Sequence, residues 1–195
     1  MTWAWLLPFV CIESAYFFAY MGVASGLVFA NLGASYGTAK SGVGIASLGV
    51  IDSSKVIKAL IPVIMAGILG VYGIIVAVLL SSKSSKENLT LQHGYQYLSA
   101  GLCCGLSALA SGLAIGVAGD AGVRAYAQTD GIFVGMIILL IFAEAIGLYG
   151  MIIAIIVMSG WVIWWAIHWT SLHAWQMHMI TWTARLTEMI RYSVT

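Results

Sequence analysis

The sequence predicts an all-α integral membrane fold: four transmembrane helices, arranged as two tandem parallel hairpins that build a ring. Three observations predict it. Of the 195 residues, 62% are hydrophobic and only 8% are charged, whereas a soluble domain carries about 25% charged residues. Lipid must therefore solvate most of the surface. Four long uncharged runs divide the chain, and the second pair of runs repeats the first.

The runs cover 16–38, ending at Lys40; 56–80, beginning around Lys55 and Lys58; 97–119, ending at Asp120 and Arg124; and 131–158. Each exceeds the ~20 residues that a helix needs to cross the hydrocarbon layer. Strands of a membrane barrel would alternate apolar and polar residues, and these runs do not. The expected organisation is an N-terminal segment 1–15, a first hairpin 16–80, a loop 81–96, a second hairpin 97–158 and a Trp-rich extension 159–195. The net charge of +1 excludes the basic footprint of a nucleic-acid binder. Cys11, Cys103 and Cys104 lack metal-ligand spacing and are read as small apolar packing residues. The start Met1–Ile12 is apolar but lacks the basic opening and small-residue cleavage site of a secretory signal.

The duplication is clearest in the second and fourth runs. Met65–Gly73 and Phe142–Gly150 share Ala66/Ala143, Gly70/Gly147, Tyr72/Tyr149 and Gly73/Gly150 at one constant offset. Two spans separate the copies, an even number, so both hairpins point the same way, unlike the inverted repeats of many transporters. The first and third runs carry small residues at steps of three and four: Gly22, Gly26, Ala30, Gly33 and Gly37, then Gly101, Gly105, Ala108, Gly112, Gly116 and Gly119. Such a stripe occupies one helix face and admits a second backbone. Two of them predict a crowded inner ring, with the bulkier second and fourth spans facing lipid.

One ionisable residue falls deep inside a span. The nearest charge before Glu144 is Asp130, and none follows it until Arg185. At ~1.5 Å per residue Glu144 is about 20 Å from Asp130, near mid-bilayer. A charge there costs at least ~2.5–3.5 kcal/mol, so oil favours the protonated, neutral acid. An acid that is neutral in lipid and ionises on meeting water or a cation is a proton carrier. The equivalent residue of the first repeat is Gly67, and the four spans hold no basic residue at membrane depth. The counter-charge that discharges Glu144 must come from another subunit.

The run Gly33–Gly42, the segment Ile61–Gly67, the run Gly116–Arg124, and Phe133–Ile137 together with Ile141–Gly150 closely resemble the proteolipid c subunit of eukaryotic vacuolar-type proton ATPases. The likeness spans about Ser14–Met158 and touches all four runs in order. It implies a membrane rotor: a ring of this and related proteolipids, with Glu144 as the proton-carrying carboxylate. It also implies a stator a subunit whose arginines discharge each carboxyl, a d subunit and a soluble V1 sector that hydrolyses ATP. The cargo would be H+ with no cofactor, in vacuolar, endosomal or lysosomal membranes. Both termini and the Ser81–Tyr95 loop would face the lumen, and the 39–55 and 124–130 loops the cytosol.

Around the carrier the sequence offers Gly67, Tyr72, Tyr149, Ser107 and Ser111. Either tyrosine could hydrogen-bond near the acid, although packing is the commoner reason for a Tyr there. A sodium-pumping relative would need further oxygen ligands. The second span offers the apolar segment Ile64–Leu69, without the Gln or Thr typical of such sites, and the third only Ser107 and Ser111, so protons are favoured. From another class, a structural or channel-forming four-helix protein would also use small-residue stripes. The extension from Trp161 holds six of the eight tryptophans and His168, His173 and His178. Its composition suits a membrane interface, and the spacing turns successive histidines by about 140°, off any shared metal face. Glu13 reads as a solvated helix-end acid, and Asn88-Leu89-Thr90 as a glycosylation sequon beside the membrane.

Overall fold

The computed structural model describes residues 6–84 and 89–159, with side chains from Ser14 onward. The expectations placed on Glu13, Asn88 and the 160–195 extension lie outside the described residues and side chains. Among the described residues there are four long helices and no strand: α1 (Leu6–Ile51), α2 (Ile61–Ser84), α3 (Leu91–Gln128) and α4 (Ile132–Ser159). All four are long and apolar enough to cross a membrane.

Local sequence sets the breaks between them. Asp52 ends the first helix in an extended conformation and caps a short 3-10 turn, Ser53–Lys55, by accepting from the Ser54 amide. A second turn, Lys58–Leu60, leads into α2, whose second residue is Pro62. A proline is harmless there, where the first-turn N–H groups have no helical partner. Thr90 caps α3 by accepting from the His93 amide at 3.4 Å. Only Thr129–Gly131 separates α3 from α4.

The odd helices are longer than the uncharged runs. α1 does not stop near Thr38 but continues to Ile51, and its 46 residues reach about 69 Å. α3 starts at Leu91 rather than Tyr97 and runs past Asp120 and Arg124 to Gln128. The first and third connections are correspondingly shorter than expected. Lys40 is no helix stop because its charge is answered: its ammonium lies 3.3 Å from Asp120, which also takes Arg124 at 2.8 Å.

Glycine brings α1 and α3 into backbone contact. A Cβ built on Gly33 would lie 2.7 Å from Leu109 Cα, and one on Gly112 would lie 2.6 Å from Gly33 Cα. Gly101 abuts the Gly22 carbonyl, and Gly105 and Gly116 approach Gly26 and Gly37 at 3.2 Å from Cβ to Cα. The four pairs Gly22/Gly101, Gly26/Gly105, Gly33/Gly112 and Gly37/Gly116 all share one separation along the chain. The glycines of both stripes therefore share one seam, along which the main chains of α1 and α3 meet directly.

α2 and α4 present bulky outer faces, with Ile64, Val71, Val78, Val134, Leu139 and Phe142 exposed. Inside, two apolar clusters fill the bundle, one around Leu48, Leu69, Ile115 and Leu140, the other around Val76, Leu80, Cys104 and Ala154. Tyr72 packs against both.

Candidate functional site

The site is built where α2, α3 and α4 meet. Gly70 fits beside Asn31 and Ala34 of α1, which seats α2 against that helix. Leu69 then reaches over to Gly147, where an added Cβ would meet the Leu69 Cδ2 at 2.7 Å and the Ser111 Cβ at 3.2 Å. Gly147 and Gly150 let α4 settle against α2 and α3, and Gly150 lies directly on Ser107. This seating turns Glu144 inward to a half-buried position, with Phe142 and Ile146 exposed on either side of it along α4.

The Tyr72 hydroxyl donates to Glu144 Oε1 at 3.2 Å across the α2–α4 seam. Ser111, fully buried on α3, donates to the Ala143 carbonyl at 2.7 Å. Ser107 donates to the Cys104 carbonyl of its own helix at 3.0 Å. Both serine hydroxyl protons thus go to main-chain carbonyls, and the phenol is the carboxyl's hydrogen-bond partner among the described residues.

The acid stands far from any other charge on its helix. Asp130 lies just before the start of α4. At the far end of α4 the Met158 carbonyl accepts from Lys83 Nζ at 3.1 Å. Counted at the helical rise, Glu144 is about 21 Å from each of these charged ends, more than half the ~30 Å thickness of a hydrocarbon layer. Among the described residues Lys40, Lys55, Lys58 and Arg124 belong to one end of the bundle and Lys83 to the other. Chemically, such a carboxyl holds a proton while surrounded by oil, and a cation or water that reaches it can take the proton away.

The other site residues named from sequence divide. Tyr72, Ser107 and Ser111 line the seam. Tyr149, the repeat partner of Tyr72, is 47% exposed on α4 and makes no hydrogen bond among the described residues; its place on the helix is turned about 140° from that of Glu144. Gly67 is exposed on α2, and a Cβ there would meet nothing within 4 Å. Sequence reasoning missed the Ala143 carbonyl, since no side-chain pattern marks a main-chain acceptor.

At the end bearing α1's C-terminus, Lys55 bridges the two connections. It contacts Asp130 at 2.7 Å and Asp52 at 3.7 Å, and lies 5.5 Å from the centre of the Tyr126 ring. Its hydrogen bond to Asp130 raises its pKa above the ordinary lysine value. The Ser54 hydroxyl and amide, helped by Lys55, hold the Asp52 carboxyl below the usual range.

Comparison with known proteins locates this arrangement. The family of ATP synthase C subunits matches twice, over residues 21–80 and 98–157. The 16 kDa proteolipid c subunit of the V-type proton ATPase of Ascaris suum is 56% identical over 142 residues, 72% of this chain and 88% of the relative. Its human counterpart is 54% identical over 144 residues, 74% of this chain and 92% of that protein. The second 16 kDa proteolipid of Caenorhabditis elegans is 56% identical over 142 residues, again 72% of this chain and 88% of the relative.

Proposed function

Because the chain belongs to the V-type proton ATPase proteolipids, within the family of ATP synthase C subunits, we propose that Glu144 is the group that binds and releases the transported proton. The chain is an integral membrane protein and a proton-conducting rotor subunit of the membrane ring. The single observation that carries the carrier role is a carboxyl about 21 Å from charge at both ends of its helix, with a neutral phenol beside it.

The cycle follows from the solvation of that acid. Between stations the carboxyl is protonated, and its carbonyl oxygen accepts from Tyr72 while the other oxygen keeps the proton. Beside an arginine of a stator a subunit, the carboxylate is favoured instead and the proton leaves into a water path. Rotation then returns the carboxylate to oil only after it has bound another proton. A d subunit and the soluble V1 sector supply the torque, and acidification of vacuolar, endosomal or lysosomal lumens is the result. The outer faces of α1 and α3, with Phe17, Val28, Leu32, Leu106 and Val117 exposed in the single chain, give neighbouring copies an apolar surface to cover. Protons are favoured over sodium because a metal ion needs a cage of oxygens, whereas one hydroxyl, that of Tyr72, hydrogen-bonds the carboxyl among the described residues.

The test replaces Glu144 with Gln in every copy of the ring. Assembly is expected to be normal and ATP-driven acidification of vesicles to be lost. Normal acidification by rings built only from E144Q chains would overturn the carrier role.

A further inference from the structure

Taking Glu144 as the carrier, we propose that Ser111 is a positioning residue: it pins the backbone of α4 beside the acid, so that Glu144 leaves and regains Tyr72 by turning its side chain alone. Ser111 is completely buried, and its hydroxyl donates at 2.7 Å to the carbonyl of Ala143. That carbonyl belongs to the peptide unit joining Ala143 to Glu144, so the bond fixes the plane from which the acid's side chain departs. A carbonyl has two lone pairs, and this one can serve the helix and the serine together.

Three further observations single the contact out. Six other helical serines (Ser25, Ser35, Ser47, Ser82, Ser99 and Ser107) donate to a carbonyl one turn back in their own helix. Ser111 departs from that habit and reaches across to another helix. Gly147, one turn beyond the acid, clears the approach, since a Cβ there would lie 3.3 Å from the Ser111 oxygen. Finally, the repeat that lacks the acid also lacks the serine. At the offset that pairs the glycine stripes, the equivalent of Ser111 is Leu32, 51% exposed, and Gly67 holds the place of Glu144. Within this chain, serine and acid occur together or not at all.

Because the anchor acts on the main chain, its loss lets α4 turn or slide slightly and loosens the Tyr72 contact without touching the carboxyl. The experiment measures the rate at which a carbodiimide modifies Glu144 in purified rings, by mass spectrometry at neutral pH. Ser111→Ala should accelerate modification about three- to tenfold, the range spanned by one net hydrogen bond. Tyr72→Phe should accelerate it as well. The double variant should be no faster than Tyr72→Phe alone, since both changes act through one contact. Ser111→Thr, which keeps the hydroxyl, should label at the wild-type rate. Should Ser111→Ala rings fail to assemble, Ser111→Cys, with a similar volume and a weak donor, is measured against the same criterion. A wild-type rate in the Ala or Cys variant, a Thr variant as fast as Ala, or Ser111 and Tyr72 effects that multiply would each overturn the proposal. Failure here, with Glu144 still labelled in the parent ring and E144Q rings unable to pump, leaves the carrier standing. Pumping by E144Q rings removes both.

Discussion

Replacing Gly112 with alanine is the sharpest test of the backbone seam between α1 and α3. A Cβ at 112 would lie 2.6 Å from Gly33 Cα, with the Gly33 carbonyl closer still. Carbon atoms rest at about 3.5–4 Å, so the helices must part by roughly 1 Å at this level. The obstruction is main chain on both sides, and no rotamer change can relieve it. Overpacking an ordinary core costs about 1–3 kcal/mol; here a gap of ~1 Å also forfeits up to half of each neighbouring dispersion contact along the seam. A loss of at least ~3 kcal/mol follows, a factor of roughly 100 or more in the folded population. Alanine is a better helix former than glycine by about 1 kcal/mol, which gives the assay a sign. Gly135→Ala, where an added Cβ meets nothing within 4 Å, should be neutral or stabilising. Thermal melting of detergent-solubilised rings, with ring yield, reads both. A G112A ring as stable as the wild type would refute the close-contact reasoning.

Two smaller predictions concern the charged end. Lys55→Met removes the bridge to Asp130, but that carboxylate is 76% exposed, so the fall in melting temperature should be far smaller than for G112A and should shrink as salt rises; a large, salt-independent loss would contradict that reading. The Asp52 carboxyl, held low chiefly by the Ser54 hydroxyl, should titrate below the ordinary value of 3.8. A depressed folded-state value means that its contribution is present above the unfolded pKa and disappears as acid carries the pH down through the folded one. Ser54→Ala should move the midpoint back up in carboxyl NMR titration, and an unmoved midpoint would show that the hydroxyl is not the cause.

How much of this was legible from sequence depends on whether one residue's neighbours could be inferred from its own helix. The glycine stripes were legible because spacing of three and four places residues on one face whatever that face meets. Glu144 was legible because an acid amid a long apolar run needs no partner to be anomalous. The ends of α1 and α3 were not. Lys40 reads as the end of a span only if its charge has no answer, and the answer, Asp120, is supplied by α3, two spans further along the chain. Nor could Tyr72 be told from Tyr149. Equivalent in sequence, they differ in surroundings: the Tyr72 hydroxyl meets Glu144 on α4, the second helix of the next hairpin, whereas Tyr149 is 47% exposed in the single chain.

That difference bears on why half the sites carry an acid. The operator that takes Tyr72 to Tyr149 takes Glu144 to position 67 of the next copy in a ring, and position 67 is Gly. Within the single chain a Cβ at 67 meets nothing within 4 Å. What the first repeat lacks is the polar set, with Gly67 and Leu32 standing where the second has Glu144 and Ser111. In such a ring the phenol of Tyr149 would face a position with no acid to hold. With Glu144 as the proposed carrier, one acid per four helices in a ring of fixed helix number would move half the protons per turn that one per hairpin would. Torque from the same ATP is then concentrated on fewer charges, each of which must climb ~2.3 kcal/mol per 100 mV. A rotor built this way trades throughput for the steepness of gradient it can sustain, which is the requirement of a pump that works against an already acidic compartment.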